Sequence, residues 1–159
     1  MTREIPLTKG LVAIVDDEDF LRVSTRKWHA YACGNGWRAR ATFAPPKRNV
    51  LLHRFILGLS PQDSRTVDHI NGDGLDCRRS NLRACAWADN NKNRRPRDGR
   101  KFKGIFTLRG RFGARIAVDG TRFSLGVYAT EIEAAIAYDA AARRYHGAFA
   151  RLNFPIGPF

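Results

Sequence analysis

The chain has 159 residues, 43% of them apolar, and its 28 Lys and Arg against 15 Asp and Glu give a formal net charge of +13. That apolar share supports packed cores and excludes a disordered chain, while the length allows one ordinary domain or two small ones. A polyanion is the default partner of so basic a protein. No apolar run is long enough to span a membrane, and the first six residues lack the apolar stretch of a signal peptide. Three cysteines, Cys33, Cys77 and Cys85, form no CxxC pair, which argues against a disulfide framework or a four-thiolate zinc site. The expectation is a soluble intracellular protein with buried, inert thiols.

Residues 10 to 15 read as a strand, and Asp16-Asp17-Glu18-Asp19 reads as the start of a short helix, where carboxylates suit the positive end of the helix dipole. Residues 28 to 32 and 37 to 43 read as strands joined by Cys33-Gly34-Asn35-Gly36, a turn whose residues tolerate positive φ. Residues 50 to 59 are apolar and broken by Gly58, the pattern of a strand end running into a short buried helix. His53 lies inside that stretch and is expected to be a packed core residue.

The next segment carries the chemistry. Val67-Asp68-His69-Ile70-Asn71-Gly72-Asp73-Gly74 sets a carboxylate and an imidazole ahead of a turn, and Arg79-Ser80-Asn81-Leu82 and Asn90, Asn91 and Asn93 follow. Cutting a phosphodiester takes an activated water, a Lewis acid and a geometry that holds both in line. Asp68 offers a hard oxygen ligand for Mg²⁺, His69 a base that titrates near neutrality, and Asn90 a second oxygen from a following helix. Regular alternation would send Asp68 and His69 to opposite faces, so they cooperate only where the strand twists or ends. Taken alone, an Asp-His pair or an Asn-Gly-Asp-Gly turn carries little weight; the ordered set carries much more.

Residues 92 to 103 hold Pro, Gly and seven basic side chains and read as a linker. It separates a domain at 1–94 from one at 102–155, with 95–101 as the linker proper. Residues 1 to 91 carry 14 basic against 10 acidic side chains, and residues 92 to 159 carry 14 against 5. The second part is therefore the stronger electrostatic contact. Within it, residues 104 to 108 form a first strand. Phe112, Ala114, Ile116 and Val118 alternate with Arg111 and Arg115, Asp119-Gly120 marks a hairpin turn, and Phe123 and Leu125 are expected inward with Arg122 and Ser124 outward. Thr130 and Glu133 make a capping box for a helix that runs to about His146 and stops at Gly147. Its alanines allow close approach to the sheet, with Tyr138 and Tyr145 filling the seam.

The first set of residues resembles the HNH homing endonucleases of phage type, through Val67-Asp68-His69-Ile70-Asn71-Gly72, Arg79-Ser80-Asn81-Leu82-Arg83 and Ala88-Asp89-Asn90-Asn91-Lys92-Asn93. The resemblance implies a ββα-metal fold in an α+β protein. It implies His69 as general base, Asp68 and Asn90 as ligands of a divalent metal, Mg²⁺ or Mn²⁺, and Asn81 as a brace of the catalytic loop. His53-Arg54 resembles the segment upstream of that motif and is read as scaffold. An Asn stands where the family name has its final His, as in the phage subtype. Asn91 and Asn93 compete with Asn90 for the ligand role, and spacing favours Asn90.

The second set resembles the APETALA-type domain of plant ethylene-response factors, also found fused to HNH nucleases. The matching pieces are Lys103-Gly104-Ile105, Phe112-Gly113-Ala114-Arg115-Ile116, Leu125-Gly126-Val127-Tyr128, residues 133 to 141 and Leu152-Asn153-Phe154-Pro155. This implies a three-stranded antiparallel sheet packed on one helix and lying in the major groove of double-stranded DNA. Lys103, Arg109, Arg111, Arg115, Arg122 and Ser124 would then face the groove. Phe106 and Leu108 stand near where the plant domains carry groove-contacting Trp and Arg, so the plant target sequence does not transfer. Together the resemblances imply a site-specific nicking endonuclease, monomeric or homodimeric, in the cytoplasm of a bacterial or phage-infected cell, with no membrane and no small-molecule cofactor. The rivals are a non-catalytic DNA-binding regulator on a nuclease scaffold and a structural or RNA-binding basic protein.

Overall fold

The computed structural model describes residues 1–34, 36–96 and 99–155. They form an α+β protein with ten strands in four small antiparallel sheets and four α-helices. The chain divides into two compact units, Met1–Trp87 and Ala88–Phe159. The division falls ahead of residue 94, inside the short helix Trp87–Lys92 (α3). Of the expected linker, Arg97 and Asp98 lie outside the described residues, as does Asn35 of the expected turn at 33 to 36. Among the described residues no helix is long and apolar enough to cross a membrane.

The first unit opens with a hairpin of β1 (Thr2–Pro6) and β2 (Val12–Asp16). Only Ile5 of β1 is buried, so that strand leaves no apolar alternation to read in the sequence. The strand expected from residue 10 starts at Val12, because Lys9 and Gly10 turn through positive φ. Helix α1 (Asp17–Ser24) begins at the acidic cluster. The cluster does more than start a helix. Buried Asp19 accepts from Arg79 at 2.7 and 2.9 Å and from Arg22 at 2.7 Å, and Glu18 pairs with Arg79 at 2.9 Å. Asp16 accepts from the Arg79 backbone N–H at 2.7 Å. Burial acts to raise the Asp19 pKa, yet the two guanidiniums outweigh it and hold the carboxyl below its usual range.

A three-stranded meander follows, β3 (His29–Cys33), β4 (Gly36–Phe43) and β5 (Arg48–Leu51), and leads into α2 (Leu52–Ile56). The core gathers Val15, Val23, Trp28, Ala39, Ala41, Leu52 and Ile56. Trp28 is fully buried; its indole N–H donates to the Val23 carbonyl at 2.9 Å and its ring packs on Phe55 at 5.6 Å, so its polar atom is satisfied. The last two strands, β6 (Thr66–His69) and β7 (Leu82–Cys85), form a separate ladder. Cys77 and Cys85 are buried as expected, with burial pushing the Cys77 thiol up to about 12. Cys33, on an edge strand, is exposed, contrary to expectation.

In the second unit β8 (Ile105–Leu108), β9 (Arg111–Val118) and β10 (Thr121–Tyr128) form one antiparallel sheet with β9 central, and α4 (Glu131–His146) packs on it. Arg109-Gly110 and Asp119-Gly120 both carry positive φ, the turn chemistry that matches strand twist in tight hairpins. The capping box is present, Thr130 Oγ1 accepting from Glu133 N at 3.2 Å and Glu133 from Thr130 N at 3.1 Å. Ile105, Ala114, Ile116, Ala134, Ala135, Tyr138 and Ala142 make the core, with Phe102 stacked on Phe154 at 5.4 Å. Gly104, at φ +80, lies against the Tyr138 ring, where a side chain would overlap it. Tyr145 is 46% exposed and lies outside the seam, contrary to expectation; Phe123 is on the inward face opposite buried Ile116, but near the hairpin tip it is left 50% exposed, outside the buried core.

Buried Asp139 ties the end of this unit to its helix. It accepts from the backbone N–H groups of Asn153 and Phe154, each at 2.8 Å, and Asn153 in turn brackets the Lys103 backbone through bonds of 2.7 and 3.2 Å. Asp139→Ala removes the charged acceptor of two backbone donors and should cost roughly 3 kcal/mol of stability, seen as a lowered thermal midpoint. A fragment from residue 88 to 159 should fold alone, with the helical and sheet circular dichroism of this unit, because its core is internal to it.

Candidate functional site

The chain leaves β6 at His69 through a loop that its own polar side chains close. Gly72 N–H donates to the His69 carbonyl at 2.8 Å, Asn71 Oδ1 accepts from Asp73 N at 2.8 Å, and Asp73 Oδ1 accepts from Leu75 N at 2.9 Å. Such side-chain turns are what Asn and Asp do between regular elements. Asn81 binds the two ends together. Its carbonyl oxygen accepts from Asn71 N at 3.0 Å, and its amide donates to Asn71 Oδ1 at 3.1 Å and to the Asp76 carbonyl at 2.8 Å. Asp76 accepts from Asn71 at 2.8 Å and from Arg78 at 2.6 and 2.8 Å, and the Arg78 bonds lead the effects that hold its carboxyl below the usual range. Two bonds to Ile14, through Leu75 O and Cys77 N, pin the loop against β2.

Asp68 and His69 are both buried, at 4% and 3% exposure, and sit opposite Arg83 and Leu82 respectively. They therefore leave the strand on opposite faces, with His69 its last residue. Asp68 Oδ2 pairs with Arg83 at 2.6 and 2.8 Å. The His69 ring meets the His53 ring edge to face at 4.9 Å. Burial, reinforced by the Arg38 charge and only partly offset by Asp68, Asp73 and Asp76, lowers His69 to about 4. Burial first, and then the neighbouring His69, lowers His53 well below its ordinary value. Both imidazoles are neutral at physiological pH. Gly74 lets this happen at close quarters, since a β-carbon there would overlap the Arg38 guanidinium and the Trp37 carbonyl.

His53 is a core residue, as its apolar setting suggested, but its ring rests on the candidate base. Arg38, Arg83 and Asp76 also belong to this site; Arg83 ends a segment that carries the resemblance but is given no role by it, and strand register and loop closure bring the three there from β4, β7 and the loop. Of the competing asparagines, Asn90 and Asn91 are half-buried on α3 and Asn93 just beyond it is buried; all three belong to the second unit.

The donor chemistry fits a hard cation. Asp68 supplies an anionic oxygen, and Mg²⁺ commonly takes only one or two protein carboxylates, filling its octahedron with phosphate oxygens and water. The cluster of three acidic ligand atoms found among the described residues, Asp16, Glu18 and Asp19, holds guanidinium groups, as Asp68 itself does.

On the second unit Arg111, Arg115, Arg122 and Ser124 are exposed on the sheet face away from α4, and Arg109 is exposed in the β8–β9 turn. Lys103 differs from them: it is half-buried and its ammonium donates to the Lys92 carbonyl. No model of a known protein family matches the chain.

The neutral histidines set a pH dependence in the metal-free protein. Below about pH 6.5 the unfolded chain takes up protons on both residues, while folded His69 does so only near 4. Stability is therefore full above 6.5 and falls as pH drops from 6.5 toward 4. A thermal midpoint in chelator that is lower at pH 5 than at pH 7.5, with a smaller drop in His69→Leu, is the expected result. Asn81→Leu keeps the bulk but removes three loop bonds, and should lower the midpoint at every pH.

Proposed function

We propose that the protein is a divalent-metal-dependent DNA endonuclease of the HNH type, with a second, sheet-based DNA-binding unit supplying most of its sequence preference. The observation that carries this reading is the loop closed by Asn81 beside a buried carboxylate and a buried neutral imidazole. Asp68 and His69 are the last two residues of β6, and Asn81 closes the loop that follows, so three residues of the sequence motif meet at one strand end. A neutral imidazole accepts a proton, and the negative phosphate that comes with DNA would raise its low pKa toward the working range. His69 takes the proton from a water whose oxygen bonds to phosphorus as the ester bond on the far side breaks. Asp68 would hold Mg²⁺, and the ion would supply Lewis acidity at the phosphate. His53 limits the rotation of the His69 ring, and Asn81 keeps the loop closed. One base and one metal per chain suit a nick in one strand, and a double-strand break would call for two chains.

A DNA-binding protein without cleavage is the second reading, favoured by one observation. Asp68 is already neutralised by Arg83, and a cation must share or displace that partner.

Nicking of supercoiled plasmid with Mg²⁺ decides between the two. Cleavage that chelator abolishes and that falls about 10² to 10⁴-fold in His69→Ala, with DNA affinity unchanged, is the expected outcome. Asp68→Asn should be partly restored by raising the metal concentration. An inactive wild-type protein that still binds duplex DNA would establish the second reading.

A further inference from the structure

The exposed face of the second unit's sheet is not uniformly cationic. Directly opposed residues share a face in an antiparallel pair. The register sets Leu108 beside Arg111, Phe106 beside Gly113 beside Val127, and Arg115 beside Ser124. An apolar row thus crosses all three strands between two rows that carry arginine. The bulge at Leu125 creates it. Counting on from outward Ser124, unbroken alternation would turn Gly126 out and Val127 in. The register shift between Ser124 and Gly126 instead pairs Gly126 with inward Ala114 and Val127 with Gly113.

Glycine at 113 makes room in the middle of this row. A β-carbon there would overlap the Phe106 ring, so the ring lies over the β9 backbone. Arg115 stacks on the same ring, its guanidinium carbon 5.0 Å from the centroid, which orients a planar fork suited to the two acceptors of guanine. Leu108 and Val127 remain 43% and 40% exposed. Apolar side chains set this way among arginines on a protein of net charge +13 ask for a polyanion that also offers apolar groups.

Three strands span about 10 Å between the outer two, within a major groove about 12 Å wide. The edges presented there are donors and acceptors, with one apolar exception, the thymine 5-methyl. Against cytosine or guanine, Leu108 and Val127 would strip water from polar atoms without replacing it. Against thymine they gain contact. We infer that Phe106 and Val127 of the apolar row, with Leu108 in the adjoining Arg111 row, form a thymine-methyl-reading patch beside a guanine read by Arg115. The inference rests on the DNA-binding part of the proposed function and names what that face prefers.

The test uses the full chain in chelator, so that bound duplexes stay whole. Duplexes enriched from a random library are resynthesised with uracil replacing single thymines, a change that removes only the methyl group. Affinity should fall about fourfold at each contacted position. Leu108→Ala and Val127→Ala, both at protruding side chains, should retain the fold by circular dichroism and keep the affinity for the uracil duplex, while losing the thymine advantage at one position each. Enriched duplexes without thymine, or equal binding of thymine and uracil forms, overturn the inference alone. Failure to enrich any duplex overturns it together with the DNA-binding reading.

Discussion

The amide of Asn81 is the constraint on which the first unit's site depends. An amide both donates and accepts, so one side chain can bond the backbone on each side of a loop. Here it accepts from Asn71 N and donates to the Asp76 carbonyl, and so joins the exit of β6 to the chain returning toward β7. A carboxylate could not donate and an apolar residue could do neither. With the loop closed, β6 and β7 stay in register, and that register sets Arg83 beside Asp68 and Leu82 beside His69. The same closure holds Asp73 and Asp76 near the imidazole, where their charges oppose but do not overcome the effect of burial.

Arginine does different work in the two units. In the first, Arg22 and Arg79 neutralise Asp19, Arg78 neutralises Asp76 and Arg83 neutralises Asp68. Each guanidinium fork satisfies a carboxylate that folding has buried, so its charge is absorbed into the structure. In the second unit Arg111, Arg115 and Arg122 stand on an exposed sheet face. The uneven split of charge along the sequence thus corresponds to two roles, internal counter-ion and outward-facing cation. Only the second projects a field that an approaching polyanion would feel.

Both units also use absent side chains. Gly74 admits the Arg38 guanidinium beside the candidate base, and Gly113 admits the Phe106 ring across β9. Each glycine is a space that a distant residue fills.

Local chemistry made much of this protein readable in its sequence. The capping box at Thr130, the hairpin turn at Asp119-Gly120, the alternation of β9 and the run of turn-forming residues after His69 all follow from contacts within a few positions, and the structure has them where local rules put them. β1 had no such signal, because one buried residue makes no pattern. Tertiary packing decided the rest. The ring of His53 against His69, the pairing of Asp68 with Arg83, the grip of Arg79 on the acidic cluster and the clamp of Asp139 on residues 153 and 154 join residues far apart along the chain. Phe123 shows the limit of alternation, which assigns a face but cannot say whether anything covers it. Val127 shows a second limit: a single bulge reverses every later assignment on its strand, and a bulge is settled by how the sheet packs rather than by the residues that flank it.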